Sequence, residues 1–312
     1  MLFLNKITFI SILNYGRMLA LNAYANERKS YRRKQQWKIA LYIFLNPKFV
    51  SGWFKLLNSG NLNFIFLHRP LLYVKPFRPY ISIRWDKEKK VKVILDTYEL
   101  LKKKETIFKQ IITQKDGVIL ARLFFDDYDF FLKLGYDEGF RKEGELVLSL
   151  ECEQLGGKIV SAAFSFEKVK NEKWICIIGC VQGHNINSQY PSKLTQRLMY
   201  GLRPKSFIIY SLQELSRHFG CYTIYGAGDS IQAYRKKHAI HLPKVHNIHF
   251  DYDKFWKEVG GKHIEKGWFE LPLMSVRKNM QDIKSKKRSM YRRRYHMLDD
   301  LSLRISAYFD RL

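Results

Sequence analysis

The stretch "GELVLSLECEQLGGKIVSAAFSFEKVKNEKWICIIGCVQG", residues 144–183, holds three strand patterns separated by two turn signals, "LGG" and "KNEK". In the first two patterns apolar residues recur at every second position, which is typical of strands with one face on a core. The third pattern, "WICIIGCVQG", is apolar on both faces and predicts a central, covered strand. The aligned apolar positions are Leu146, Leu148, Leu150, Cys152, Val160, Ala162, Phe164 and Phe166. This stretch therefore predicts an antiparallel meander.

After the meander, the pattern changes to an alternation of helices and strands. "SKLTQRLMYGL" and "PKSFIIYSLQELSRHFG" predict two helices, with Pro204 at a first helical position and Gly220 just past a helix end. "CYTIYGAGD" predicts a short buried strand, and "GGKHIEKGWFELPL" predicts two more. We therefore predict an α+β or mixed α/β fold, in which helices flank a central, mostly antiparallel sheet.

The chain divides by pattern into two regions. Residues 1–75 predict a basic helical N-terminal region, whose helical pattern is interrupted at Pro47. The proline-rich "RPLLYVKPFRPYISI" (69–83) suits an extended connection. Apolar residues recur at helical spacing from Lys87 to Thr113. Residues 76–312 therefore form the predicted α/β domain, which ends in a basic helix.

Positive charge is the abnormal feature of the composition. The 312 residues include 55 Lys and Arg against 29 Asp and Glu, a net charge of +26. A field of this size implies an anionic ligand or an anionic surface. Because the surplus is spread along the chain, it favours a membrane-facing or generally basic protein over one with a nucleic-acid tail. No window approaches the ~20 apolar residues of a spanning helix. We expect a cytoplasmic protein without a transmembrane span, located either in the cytosol or at the inner-membrane surface.

Cysteines and histidines lack the spacing of a metal site. The four cysteines are Cys152, Cys176, Cys180 and Cys221. Their spacing fits no zinc site and their use fits a reducing compartment. Cys176 and Cys180 fall on one face of the predicted third strand. The clustered histidines are His238, His241, His246 and His249. No Cys or acidic group at a metal-binding spacing accompanies them, so no metal site is predicted.

The candidate site begins where the predicted central strand ends, in "CVQGHN". Open α/β sheets commonly bind ligands at such strand ends. Gln182 and Gly183 would border a cofactor, since glycine permits a close approach of the backbone. His184 has a pKa suited to proton transfer and is a candidate general base. The alternative is a strand-end turn carrying a surface histidine.

A second group of candidates follows at the start of the second predicted helix. Arg203 and Lys205 flank a proline where free backbone amides and the helix dipole favour an anion. The phosphates of a coenzyme and those of a lipid headgroup would fit equally. The alternative pairs Arg203 with a carboxylate and leaves Lys205 in water. Tyr234, in "SIQAYRKKH", is a candidate acid for a leaving thiolate or, alternatively, a packing residue.

The C-terminal "KSKKRSMYRRRYHMLDDLSLRIS" predicts a basic helix from about Ser289 to Leu312. Cations near a helix N-terminus oppose the macrodipole, so their presence favours an external anion. Tyr291 and Tyr295 share the apolar stripe of this helix and are predicted to be core residues. We therefore expect a buried tyrosine seam beneath a basic, anion-facing surface.

From about Pro76 to Tyr295 the chain resembles the VirK/YbjX family, a bacterial family with a domain of unknown function. The matching segments are "RKEGELVLSL", "FSF", "IIGCVQG", "LTQRLMYGLRPK", "YRKKH", "DKFWKEVGG", "GWFELP" and "KKRSMYRRRY". The resemblance implies a role in virulence, envelope maintenance and tolerance of antimicrobial peptides, and it carries over no catalytic residue. Thr97-Tyr98 departs from the His-Tyr that relatives tend to carry.

The order of predicted elements also resembles an acyl-CoA N-acyltransferase (GNAT-like) core. The Gln/Arg-x-x-Gly-x-Gly/Ala loop of that fold is not present, and "GLRPKSF" occupies its place. Three hypotheses follow from these patterns. The first is an acyltransferase that uses an acyl-CoA or acyl-carrier thioester. The second is a non-catalytic basic protein that binds anionic lipid or a partner at the inner membrane, and the third is a nucleic-acid-binding protein.

Overall fold

The computed structural model describes residues 6–184, 190–233 and 250–310. The chain divides into two compact units, Met1–Arg78 and Pro79–Leu312. The described part of the first unit is helical. Its helices are α1 (Lys6–Ala23), α2 (Lys29–Leu45), α3 (Pro47–Leu57) and α4 (Gly60–His68), followed by a three-ten helix (Pro70–Phe77).

The three-ten helix replaces the predicted extended connection, so that prediction was wrong. Pro70 stands in its first turn, where a missing N–H costs no hydrogen bond. The indole Nε1 of Trp53 donates to the carbonyl oxygen of Tyr73 at 2.9 Å, which attaches this segment to α3. The helical break predicted at Pro47 is confirmed, because α2 ends at Leu45 and α3 begins at Pro47.

The second unit combines helices with one sheet. Its helices are α5 (Lys87–Lys102), α6 (Glu105–Thr113), α7 (Tyr190–Leu198), α8 (Pro204–His218), α9 (Tyr252–Glu258) and α10 (Ser285–Asp310). Its strands are β1 (Val118–Phe125), β2 (Tyr128–Gly135), β3 (Leu146–Cys152), β4 (Gly157–Lys168), β5 (Trp174–Gly183), β6 (Cys221–Ala227), β7 (Lys262–His263) and β8 (Trp268–Leu271). The single helix predicted over 87–113 is two helices, separated at Lys103 and Lys104.

The strands lie in the order β1-β2-β3-β4-β5-β6-β8-β7. All neighbouring pairs are antiparallel except β5 and β6, which are parallel and connected through α7 and α8. Helix α5 packs on β4, α8 packs on β3 to β6, and α10 packs on β1. The predicted fold class is therefore confirmed: an α+β fold with a mostly antiparallel sheet flanked by helices.

The meander predicted over 144–183 is confirmed as β3, β4 and β5. Its predicted inward positions are fully buried, and so is most of β5. Two further strands, β1 and β2, precede it and were not predicted. Between them Asp126 adopts a positive φ of 49° in a two-residue connection that pairs Phe125 with Tyr128.

Thr97, the residue that departs from the His-Tyr pattern, is buried between α5 and β4. Its hydroxyl accepts the Phe166 N–H at 2.9 Å and lies 3.0 Å from the Phe166 carbonyl oxygen. Such pairing satisfies backbone groups of β4 that would otherwise be costly to bury. Thr97 therefore has a structural role in joining α5 to the sheet.

A bulge interrupts β5 at Gly179. Ile178 pairs with Phe164 and Cys180 pairs with Ala163, so one residue of β5 is extra. Cys176 pairs with Phe166, and the shift therefore places Cys176 and Cys180 on opposite faces of the sheet. The expectation of a shared face was wrong for this reason. A Cβ at residue 179 would collide with a backbone carbonyl oxygen of a neighbouring segment, so the bulge requires glycine.

Helix α10 confirms the predicted C-terminal helix but not its tyrosine seam. Met297, Leu298, Leu301, Ile305 and Phe309 are its buried residues. Tyr291 and Tyr295 are only half-buried. The guanidinium of Arg294 lies 4.3 Å from the Tyr291 ring centroid, and that of Arg277 lies 5.0 Å from the Tyr295 centroid. The two rings pack against cations instead of the core.

Candidate functional site

The end of β5 and the start of α8 lie side by side. The parallel β5–β6 ladder stops at the Ile178–Gly226 pair, whereas β5 continues to Gly183. The Cε of Lys205 lies 3.6 Å from the position that a Cβ at Gly183 would occupy. The structure therefore brings the two predicted segments, "QGHN" and "LRPK", into contact at Gly183 and Lys205.

Lys205, in the first turn of α8, has a strongly shifted pKa. Its side chain packs on an aromatic ring, with Nζ 3.2 Å from the ring centroid of Phe250. Burial lowers the pKa of Lys205 to about 8, while the nearby Cys180 thiol acts in the opposite direction. The amine is still mostly protonated at neutral pH, but it releases its proton more readily than a solvated lysine. Lys205 is half-buried, which disfavours the alternative that leaves it in water.

His184 occupies the first position after β5. Its N–H donates to the Ile159 carbonyl oxygen at 2.9 Å, which fixes the backbone against β4. The ring Nε2 lies 3.0 Å from the Ser161 hydroxyl. Burial lowers the pKa of His184, and the positive charge of Lys158 lowers it further, whereas Asp137 opposes both. The imidazole is therefore neutral at physiological pH and able to accept a proton.

The Ser161–His184 pair does not form a serine nucleophile site. Ser161 lies within β4 and has no exposed surface, so a substrate carbonyl does not reach its hydroxyl. The carboxylate of Asp137 pairs with Lys158 and accepts the Gly139 N–H at 2.8 Å. We therefore interpret Ser161 as a residue that orients the histidine ring.

Arg203, just before α8, has the carboxylate partner that one of the sequence hypotheses required. Its Nη1 lies 3.2 Å from Glu258 Oε2, and the arginine side chain is largely exposed. An exposed pair of this kind contributes about 0–1 kcal/mol, so a phosphate competes with it readily. The role of Arg203 in holding an anion stays a prediction.

Three predicted site residues remain: Gln182 and Gly183, which the structure describes, and Tyr234, which it does not. Gln182 and Gly183 are exposed at the end of β5. The Cβ position of Gly183 is only in van der Waals contact with its neighbour, so close packing does not require glycine there. Tyr234, the proposed acid, lies outside the described residues.

Sequence reasoning missed Tyr252 at the start of α9. Its hydroxyl donates to the Val181 carbonyl oxygen at 3.1 Å and lies 3.3 Å from the Val181 N–H. These two backbone groups belong to the part of β5 that continues beyond the β6 ladder. Burial raises the pKa of Tyr252. No local pattern in the sequence signals this contact, because it depends on how α9 packs against the sheet.

The chain belongs to the family described as Protein of unknown function (DUF535), whose model matches residues 28–307. It is 26% identical over 284 residues to "Uncharacterized protein YbjX" of Escherichia coli (strain K12), which covers 89% of this chain and 84% of that protein. An uncharacterized protein of Haemophilus influenzae is 27% identical over 225 residues, covering 71% of this chain and 72% of that protein. The predicted VirK/YbjX membership is thus confirmed. No solved structure matches the chain.

Two further observations concern the described residues as a whole. None of the helices in 6–184, 190–233 and 250–310 combines the length and apolar character needed to cross a bilayer. Within the same ranges, no three or more His, Cys, Asp or Glu side chains are grouped so that they could hold a metal ion.

Proposed function

We propose that this protein transfers an acyl group from a coenzyme A or carrier-protein thioester to an amine or hydroxyl, at the carboxyl ends of β5 and β6. One observation carries the proposal: the parallel ladder ends at Ile178, while β5 runs on to Gly183 beside the start of α8. Open α/β sheets bind ligands where parallel strands end and a helix begins. The resemblance to a GNAT-like core supports the same location.

The start of α8 supports a phosphate-bearing donor. Pro204 has no N–H, and the Ser206 N–H donates to the Arg203 carbonyl oxygen at 2.9 Å, so the Lys205 N–H and the helix dipole are what this helix start offers to an anion. Lys205 adds a desolvated cation, and Arg203 adds an exposed guanidinium whose surface ion pair is weak. The Gly-rich loop of acyl-CoA N-acyltransferases is replaced by "GLRPKSF". In this proposal, side-chain cations bind the phosphates that backbone amides bind in that loop.

The proposed reaction is a displacement at the thioester carbonyl carbon. The acceptor nitrogen or oxygen forms the new bond to this carbon, and the carbon–sulfur bond breaks. His184 accepts the proton of the acceptor, since burial keeps its imidazole neutral. The leaving thiolate takes a proton from Tyr234, the acid assigned from sequence. The resemblance to the VirK/YbjX family supports an acceptor in the bacterial envelope and a role in antimicrobial-peptide tolerance and virulence.

Donor binding is tested by titrating the full chain with coenzyme A, acyl-CoA and an acyl-carrier thioester, followed by thermal shift. Lys205→Met keeps the apolar stem and removes the charge, so we expect donor affinity to fall about tenfold. Lys193→Met, at an exposed lysine of α7, is the matched control. Equal donor affinity in both variants, or no thermal shift with saturating donor, would contradict the proposal.

Catalysis is tested separately with His184→Gln, which retains a side chain able to contact Ser161. We expect the single-turnover rate to fall about 10²- to 10⁴-fold, which is the usual contribution of a general base, while donor affinity is unchanged. Tyr234→Phe should slow transfer from poor leaving groups more than from good ones. Unchanged rates in both variants would mean that these side chains carry no proton transfer.

A further inference from the structure

A cavity of ≈ 430 Å³ opens four strands away from β5, at the edge of the sheet. One wall is β1 from residue 122 to residue 125, and the opposite wall is the middle of α10. Tyr200, in the turn between α7 and α8, closes the third side. The volume lies within the range of small-ligand sites. This pocket has no part in the proposed acyl transfer.

The charge of this β1–α10 pocket is positive. Arg122, Arg293 and Arg304 line it, and Asp300 is the one acidic residue among the lining side chains. Arg304 pairs with Asp300 at 2.7 Å, and Arg122 pairs with Asp129 on β2. Arg293 has no carboxylate partner among the residues that the structure describes. Its guanidinium therefore leaves one uncompensated positive charge at the pocket, and an anion would complement it.

The pocket also carries apolar surface. Leu123 and Met297 are buried apolar residues among those that line it. Phe124 follows Leu123 on β1, so its ring lies on the opposite face of the strand, where it is 68% exposed. Transfer of this side chain from water into an apolar phase would be favourable by about 1.5–3 kcal/mol. An extended anionic surface with an apolar phase, rather than a small molecule inside the pocket, would contact both Arg293 and Phe124.

The third wall is held in a strained conformation. Tyr200 has a positive φ of 52°, which is unfavourable for a residue with a side chain. Two N–H groups of Arg294 donate to its carbonyl oxygen, at 3.0 and 2.7 Å. The ring of Phe125 contacts the Tyr200 ring edge-on at 6.1 Å, and the guanidinium of Arg293 lies 5.3 Å from its centroid. These contacts fix the aromatic wall and the cation beside it before any ligand arrives.

We propose that the β1–α10 pocket seats the headgroup of an anionic phospholipid at a bilayer surface, with its phosphate at Arg293 and Phe124 in the acyl region. A bilayer is favoured over a small soluble anion because Phe124 is exposed on the other face of β1, outside the pocket, where an anion held at Arg293 does not cover it. The exposed cations of the first turn of α10, among them Lys286 and Lys287, add long-range attraction to an anionic surface.

The test is sedimentation of the full chain with vesicles of phosphatidylglycerol and phosphatidylcholine (3:7), compared with pure phosphatidylcholine. We expect binding to the anionic vesicles that weakens with salt. Arg293→Gln should lower the partition coefficient about fivefold, and Phe124→Ala about tenfold. Lys286→Gln and Leu303→Ala are matched controls on α10, since Lys286 and the 70% exposed Leu303 lie outside the pocket. We expect Leu303→Ala to change binding by less than about twofold, and Lys286→Gln, whose charge acts only at long range, to lower it by less than Arg293→Gln does.

Three results would overturn the proposal. Equal losses in Arg293→Gln and Lys286→Gln would mean that diffuse charge, and not the pocket, binds the membrane. Equal binding to neutral vesicles would exclude a headgroup site. Loss of single-stranded DNA binding in Arg293→Gln, with vesicle binding unchanged, would assign the pocket to nucleic acid.

A second readout reports the position of residue 124 directly. In Phe124→Trp, phosphatidylglycerol with brominated acyl chains should quench more fluorescence than in the unsubstituted chain. Equal quenching in both proteins would show that residue 124 stays out of the bilayer. Thioester binding should be unchanged in all these variants, so failure of the membrane proposal is distinguishable from failure of the proposed acyl transfer.

Discussion

Replacing Tyr252 by Phe removes one hydroxyl from the interior of the second unit while keeping the ring. That hydroxyl contacts both the carbonyl oxygen (3.1 Å) and the N–H (3.3 Å) of Val181, and both residues are almost fully buried. Without it, two backbone groups of β5 lose their partner at a point where no β6 residue pairs with them. The substitution therefore tests whether water reaches the Val181 backbone groups at the end of the parallel ladder.

The magnitude follows from the two lost contacts. A buried polar group left unsatisfied costs about 1–3 kcal/mol. Because the N–H contact is long and therefore weak, we expect Tyr252→Phe to lower the free energy of unfolding by about 2–4 kcal/mol. For a unit of this size that change corresponds to a fall in Tm of about 4–16 °C.

Urea unfolding followed by circular dichroism measures this free energy. Tyr128→Phe is the control, because Tyr128 is half-exposed on β2 and its hydroxyl has no hydrogen bond to any described residue. We expect the control to change stability by less than about 0.5 kcal/mol. A change that small in Tyr252→Phe would refute the reasoning, because it would mean that water satisfies the Val181 backbone.

Three other predictions concern the second unit, the first unit and the pH dependence. Gly179→Ala places a Cβ against the backbone carbonyl of Glu143, so we expect a loss of more than about 3 kcal/mol in urea unfolding; normal stability would exclude this contact. Gly52→Ala, in the middle of α3 with open space around its Cβ, should raise stability by about 0.5–1 kcal/mol, and a fall would contradict the helix. The pKa of His184 is lower in the folded state, so its contribution to stability is present above about pH 6.5 and is lost on acidification. His184→Gln should therefore flatten the fall in stability between about pH 7 and pH 5, and an unchanged slope would contradict the shift.

Much of the second unit follows from local patterns in the sequence. The period-two alternation of β3 and β4 and the apolar run of β5 predicted the meander, because each strand pairs with its neighbour in the chain. Pro204 and Gly220 marked the ends of α8 correctly, with Gly220 at a φ of 70°. The hairpin of β1 and β2 was missed because its turn is Asp126-Asp127 and not one of the Gly-containing pairs that identify such turns.

The site was predictable only in part. The connection from β5 to α8 brings Gly183 and Lys205 together, as the sequence order suggested. The desolvation of Lys205 was not predictable, because it depends on Phe250, which lies 45 positions further along the chain. The same holds for Tyr252 and for the bulge that separates Cys176 from Cys180. Side-chain environments made by distant segments leave no local pattern to find.

The order of strands has a consequence for how the chain is synthesised. From Val118 to Gly183 each new strand pairs with the one made just before it, so five strands assemble from short-range contacts alone. Until β6 emerges, β5 is a bare edge whose two faces are both apolar. Chains that stop before Cys221 therefore expose β5 as an unpaired apolar edge strand. We expect such truncated chains to aggregate in the cell and to require a chaperone.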